Sequence, residues 1–148
     1  WINCDLENSK ADMQCDIRRL PFPDEYVDRI GAIHVIEHFY LWEIQPMLME
    51  WHRVLKTGGR VIVELPSMEK VFKHIAHCLN NGLPMSPSFT WFAIWGGPRY
   101  DSIGMMHKWG YTFKMLKEEF VKAKFRNVES KPPRYHFPER DMRLEAIK

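Results

Sequence analysis

Tyr26–Pro66 reads YVDRIGAIHVIEHFYLWEIQPMLMEWHRVLKTGGRVIVELP, and its apolar residues change period twice. Ile30, Ala32, Ile33, Val35 and Ile36 crowd into Arg29–Ile36, a run of strand length. Ile44, Met47, Leu48, Trp51, Val54 and Leu55 then recur three and four residues apart, which stripes one face of a helix over Trp42–Leu55. Pro46 belongs in the first turn of that helix, where a missing N–H costs little. Lys56-Thr57-Gly58-Gly59 stops it, since glycine takes the left-handed conformation readily and Arg53 and Lys56 suit the negative end of a helix. Arg60–Leu65 is β-branched and nearly continuously apolar, as in a strand covered on both faces, and Pro66 ends it. Strand, helix and strand of this size make a βαβ unit with parallel strands and a right-handed crossover. The expected fold class is α/β, a mostly parallel sheet with helices on both faces. Ligands of such sheets bind outside the carboxyl ends of the strands. Those ends carry His34, Glu37 and His38 in one case and Pro66, Ser67 and Glu69 in the other.

Around this unit, 148 residues that are 45% hydrophobic and 27% charged suffice for one globular domain, 1–148, with a core of its own. A net charge of +2 is too small to argue for nucleic acid or an acidic membrane. Three scattered cysteines, Cys4, Cys15 and Cys78, point to reduced thiols and a cytoplasmic setting rather than a disulfide framework. Trp1–Leu6 reads as a short strand whose useful end is Asp5 or Glu7, and Met13–Ile17 as another ending near Asp16. Because the chain opens inside a strand-like stretch at Trp1, a fragment or truncated form is expected.

Arg18–Asp28 is a proline-punctuated loop that Phe22 and Val27 pin to the core. Met68–Asn80 is a helix with Val71, Phe72, Ile75, Ala76 and Leu79 inward, closed by Asn81-Gly82. Leu83–Met106 is aperiodic, aromatic and poor in charge. Such long segments are uncommon in compact domains and often functional, so it is read as a lid-like insertion whose Trp91, Phe92, Trp95 and Tyr100 wall a pocket, against the plainer reading of a packed surface loop. Thr112 caps a helix over Phe113–Lys124. Phe125–Ser130 is a strand, and the alternation in Asp141–Lys148 predicts a final, half-exposed antiparallel strand with Arg143 and Glu145 on the solvent side.

The run CDIRRLPFPDEYVDRIGAIHVIEHF (15–39) followed by RVLKTGGRVIVELP (53–66) resembles the class I S-adenosylmethionine-dependent methyltransferases. The likeness is to a small bacterial group with an LPFPD loop and an HVLEHF-like strand end. HKWGYT (107–112) and KFRNVE (124–129) add to the likeness. The resemblance implies a Rossmann-like sheet, S-adenosylmethionine as cofactor, and methyl transfer to a small-molecule or unidentified acceptor. It implies that Asp5 holds the ribose hydroxyls, that Asp16 and Ile17 take the adenine, and that His34 and Val35 lie beside the methionine portion. The family's G-x-G-x-G turn, which carries its first strand into a helix, does not occur in these residues. The resemblance therefore leaves a gap in the sheet between the Trp1–Asp5 and Arg29–Ile36 strands. Direct pairing, a second chain as in a homodimer, or loss of order would each resolve that gap. Lys124 stands where the family commonly has glycine.

His38 and His107 are the candidate catalytic groups, a neutral histidine being a plausible base near pH 7. For His107 the competing reading is a loop histidine tied to backbone. His34-Val35-Ile36-Glu37-His38 also spells H-x-x-E-H, a zinc-hydrolase pattern that needs a helix. In a strand the same residues read as pocket lining, and no metal ligand set is expected. The alternative to an enzyme is a methyltransferase-like module that binds or assembles without catalysis.

Overall fold

The computed structural model describes residues 1–6, 10–97 and 105–148. Glu7 and Tyr100, both singled out in the sequence, lie outside them. β1 (Cys4–Asp5) and β2 (Met13–Gln14) form a two-stranded parallel pair. β3 (Val27–Ile33), α1 (Leu41–Val54) and β4 (Leu55–Pro66) are the expected βαβ unit, with β3 and β4 adjacent and parallel from Arg29↔Arg60 to Ile33↔Glu64. After them come α2 (Met68–Asn81), α3 (Trp91–Trp95), α4 (Phe113–Lys122), β5 (Arg126–Lys131) and β6 (Asp141–Ile147). The main sheet has the order β3-β4-β6-β5, and β6 is antiparallel to both neighbours. β3, β4 and β5 thus run one way and β6 alone runs back. Among the described residues β1 pairs only with β2, so direct pairing with β3 does not join the two sheets.

The α1 stripe is buried as its spacing predicts: Ile44, Met47, Leu48 and Val54 are fully buried and Trp51 nearly so, packed against Val61, Val63 and Leu65 of β4. The Trp51 indole N–H donates to the Ile17 carbonyl at 3.0 Å, which ties the loop after β2 to this core. Phe22 and Val27 pack on the same cluster. α1 starts earlier than its periodicity indicates, because the Glu43 carboxylate accepts from the Tyr40 N–H at 2.9 Å and closes the first turn. Pro46 is therefore inside the helix rather than in its first turn, and one internal hydrogen bond is lost there.

Three further expectations change. The helix stop at 56–59 is absorbed into β4 as an irregularity between the Val27↔Leu55 and Arg29↔Arg60 pairs, with Gly58 at φ +78°. A Cβ on Gly59 would stand 2.7 Å from the Lys56 carbonyl oxygen and 3.1 Å from that of Asp28, so only glycine fits. α2 is capped by Ser67 and closed by Gly82 at φ +61°, but its buried residues are Met68, Val71 and Cys78, while Phe72 and Leu79 are exposed. It packs in a small second cluster with Ala93 of α3 rather than on the main core. β6 is not half-exposed: it lies between β4 and β5, and Asp141, Met142, Arg143 and Leu144 are all buried. Its charges survive burial because Arg143 pairs with the fully buried Glu64 at 2.8 Å.

Candidate active site at the carboxyl ends of the strands

β3 ends at Ile33, and His34 turns the chain with φ +53°. Its N–H still donates to the Glu64 carbonyl at 2.7 Å, so the turn is anchored to β4 while the side chain is carried out of the sheet. A single 3-10 turn, Ile36–His38, follows and buries Glu37. β6 enters from the opposite direction and brings its first residue, Asp141, to the same place. His34 therefore sits between two carboxylates: Nδ1 is 2.9 Å from Glu37 Oε1 and Nε2 is 3.0 Å from Asp141 Oδ2. Burial opposes charge on His34, but the Asp141 and Glu37 carboxylates outweigh it and lift its pKa to about 9. Asp141, itself buried, is held down to about 2 by His34 and by Arg140, whose Nε donates to Asp141 Oδ1 at 2.6 Å. The His136 ring lies 4.2 Å from that of His34, and its pKa is lowered by burial first and by the charge on His34 second.

The segment before α4 closes over the 3-10 turn. Lys108 and Trp109 donate their backbone N–H groups to the Glu37 carbonyl at 2.7 and 3.3 Å. His107 is consequently brought to Glu37, with Nε2 4.0 Å from Oε1. Its Nδ1 faces the Ala93 carbonyl at 3.0 Å, so the backbone-tied reading of this histidine is the one its Nδ1 follows. His38 Nδ1 faces the Met106 carbonyl at 3.2 Å, and the two rings meet edge-on at 4.9 Å. Burial lowers the pKa of His107 despite Glu37 beside it. The Glu37 carboxylate is within ion-pair distance of His34 but off the N–H axis, and neither of its oxygens completes a hydrogen bond among the described residues. The sequence offers no metal ligand set in any one segment. The fold nevertheless gathers one donor atom each from Glu37, His38 and His107 within 4.8 Å of one another.

The remaining candidates are spread along the strand ends. Asp5 is half-buried at the end of β1, and its carbonyl accepts from Cys15 N–H at 3.1 Å. Asp16 follows β2, and its carboxylate accepts from the Arg18 backbone N–H, Nε and Nη2 at 2.7–3.0 Å. Those bonds lower its pKa. Arg18 reaches on to Glu43 of α1 at 2.6 Å, so Asp16 acts as a brace for the loop as well as a strand-end acid. Ile17 and Val35 are half-buried against the main core. His34 and His38 do not share a helix face, and both His34 nitrogens are engaged by carboxylates, so the H-x-x-E-H arrangement is not formed. Trp91 and Trp95 of α3 are about half and two-thirds exposed. Asp141, Arg140, His136 and Glu64 were not singled out from the sequence as site residues. No local motif marks them: Asp141 meets His34, and Glu64 meets Arg143, across separations that only the strand order closes, and Arg140 serves beside Asp141.

Residues 3–63 match the family model described as a methyltransferase domain, a stretch that spans β1, β2, β3, α1 and most of β4. Over 80 residues the chain is 32% identical to a ubiquinone/menaquinone biosynthesis C-methyltransferase of Bordetella avium, with 54% of this chain and 26% of that protein covered. The counterpart from Bordetella parapertussis matches to the same extent. The chain thus spans about a quarter of the length of these curated relatives. Among solved structures, a SAM-dependent methyltransferase from Archaeoglobus fulgidus superposes with a TM-score of 0.61 at 15% identity, covering 98% of this chain and 74% of that one. Human N-acetylserotonin methyltransferase in complex with SAM gives 0.59 at 13%, covering 95% and 34%. The fold is that of the Rossmann-like methyltransferases.

Proposed function

We propose that this chain carries out S-adenosylmethionine-dependent methyl transfer to an acceptor not yet identified. The observation that carries this reading is the match of residues 3–63 to a methyltransferase domain over a stretch that folds with its acidic residues at successive strand ends. The residues present suit the adenosine half of the cofactor. Asp5, at the end of β1, offers a carboxylate for the two ribose hydroxyls. Asp16 already accepts four hydrogen bonds from three Arg18 donors, two on each oxygen, and a carboxylate has sites for about four, so the adenine amino group would take the place of one Arg18 bond. Its side chain is 35% exposed, so that site is reachable. Ile17 supplies the apolar neighbour for the ring, and His34 and Val35 lie where the methionine portion ends. The bound cofactor would supply a methyl group already activated on a sulfonium, so the protein's share is largely placement.

His34 is held in one orientation by two carboxylates and remains charged at neutral pH, which suits it to orienting rather than to accepting a proton. His107, kept neutral by burial, is the group suited to accept one. The lid-like role of 83–106 and the acceptor pocket walled by Trp91, Phe92 and Trp95 belong to the same proposal, as do action on a small-molecule acceptor and a homodimeric assembly. Calorimetric titration of the chain, with its natural flanking residues, against S-adenosylmethionine or its demethylated product tests the reading. Saturable binding that weakens roughly ten- to a hundredfold in Asp5→Ala and Asp16→Ala is expected, as for loss of a charge-assisted hydrogen bond. Unchanged affinity in both variants removes the site assignment. No binding by the parent protein favours a non-catalytic module.

A further inference from the structure

Glu37, His38 and His107 bring one donor atom each within 4.8 Å of one another, on residues 70 positions apart at the extremes. The two histidines share a feature that their proximity alone does not require. His38 Nδ1 faces the Met106 carbonyl at 3.2 Å and His107 Nδ1 faces the Ala93 carbonyl at 3.0 Å. A carbonyl oxygen only accepts, so each Nδ1 must carry the ring proton, and each Nε2 is left with a bare lone pair. His107, whose Nε2 is the nitrogen turned toward Glu37, is oriented as metal-ligating histidines are, with the far N–H tied to a backbone carbonyl and the near nitrogen free.

The third donor is independent of the histidines and points the same way. The Glu37 side chain is 2% exposed, yet neither carboxylate oxygen completes a hydrogen bond among the described residues. A buried carboxylate needs partners, and while Oε1 has the charged His34 beside it, Oε2 has none among the described residues. His34 stands behind it at 2.9 Å, and Asp141 stands behind His34 at 3.0 Å. That succession is the outer support a ligating carboxylate commonly has. The backbone bonds from Lys108 and Trp109 to the Glu37 carbonyl hold the two segments together, so the three donors do not depend on chance side-chain placement.

We propose that Glu37, His38 and His107 form a binding site for a divalent first-row transition metal such as zinc. Two imidazole nitrogens and one carboxylate oxygen are the donor set of that class of ion, and magnesium or calcium would call for oxygen alone. Bonds of about 2.0–2.1 Å to a tetrahedral ion place ligand atoms about 3.4 Å apart. The 4.0 Å between His107 Nε2 and Glu37 Oε1 therefore has to close by about 0.6 Å by that same geometry, and no pair in the cluster has to close by more than about 1.4 Å. Three protein ligands leave a fourth position open, as in sites where the metal binds water or substrate, and an ion bound there would take the His107 Nε2 lone pair, so His107 serves as proton acceptor only in the metal-free protein. The site is distinct from the H-x-x-E-H pattern, since His34 is not a ligand but supports one.

The test uses the chelator-treated, reduced protein without cofactor. Zinc is titrated in competition with a chromophoric chelator, and cobalt(II) absorption reports the ligand type. One equivalent is expected, with d–d bands and no thiolate-to-cobalt charge transfer. His38→Ala and His107→Ala should each weaken zinc binding at least about tenfold, the lower end of what losing even an outer-shell partner costs. His77→Ala, on exposed α2, should not. Glu37→Gln should do the same as the histidine variants where circular dichroism shows it folded, and the half-exposed His38 keeps the test sound where it is not. Absence of zinc binding, binding indifferent to His38→Ala and His107→Ala, or a cobalt spectrum with thiolate bands would each overturn the proposal. Cofactor titrations run in excess chelator keep this result separate from the methyltransferase reading.

Discussion

Replacing Asp141 by asparagine isolates the charge on which the strand-end cluster rests. The Asp141 side chain is fully buried, and its carboxylate takes bonds from His34 Nε2 at 3.0 Å, Arg140 Nε at 2.6 Å and Arg140 Nη2 at 3.1 Å. Its pKa falls from 3.8 to about 2, because these partners outweigh the burial that opposes charge. A displacement of that size corresponds to about 2 kcal/mol of folding stability. Leaving both His34 and Arg140 without their anion raises the expected cost toward the roughly 3–5 kcal/mol typical of breaking a buried pair. A lowered carboxyl pKa contributes fully above the unfolded value and is lost as pH falls through the folded one. The deficit of Asp141→Asn should thus be complete at pH 7 and shrink between pH 4 and pH 2. Urea unfolding of the parent and the variant, followed by tryptophan fluorescence at pH 7, 5, 4 and 3, measures it. With a slope of about 1–3 kcal/mol per molar urea, the midpoint should drop by about 1 M or more at pH 7. Equal midpoints at pH 7, or a deficit that stays constant down to pH 3, would refute the account.

Lys124 occupies the left-handed region at φ +70° directly after α4, so Lys124→Gly should raise stability by up to about 1 kcal/mol, read as a higher thermal midpoint. The Tyr111 hydroxyl is buried without a hydrogen-bond partner among the described residues, so Tyr111→Phe should be neutral or stabilising in the same assay, and a loss would reveal a partner. Gly59→Ala should cost roughly 1–3 kcal/mol, because the new methyl meets two backbone carbonyl oxygens that cannot rotate away.

The elements that were legible in the sequence are those whose information is local. The β3–α1–β4 unit follows from two changes of apolar period within 41 residues, and its parallel pairing follows from the helix between the strands. The Thr112 cap and the Gly82 stop are likewise local, and each is found in place, while Lys124, marked by the resemblance rather than by local pattern, takes the left-handed conformation. β6 shows where such reasoning ends. Its alternation of apolar and charged residues is real, but alternation indicates solvent on one face only when no charged partner waits there. Glu64 waits on β4, and the antiparallel register sets it opposite Arg143. The inward face of α2 failed for a related reason: its stripe is amphipathic, but Ser67 and the Lys70 bonds to the Pro138 and Asp141 carbonyls fix the helix by its first turn, which leaves Phe72 and Leu79 outside.

The candidate site follows the same division. Asp5, Asp16 and His34 stand at or just after strand ends, as the apolar runs predict, but their cofactor roles were drawn from a resemblance and not from composition. The chemistry that distinguishes this chain lies instead in a convergence of four separate stretches: the turn at 34–38, the Ala93 carbonyl, the segment 106–109 and the start of β6. No one of them is informative alone. Glu37 is an ordinary acid after a strand until Lys108 and Trp109 fasten onto its carbonyl, and His107 is an ordinary loop histidine until that fastening sets it beside Glu37. The backbone bonds create the site and the side chains occupy it. It follows that weakening the 37–108 attachment should uncouple His107 from Glu37 while leaving the β3–α1–β4 core intact, since none of the buried residues of α1 and β4 takes part in it.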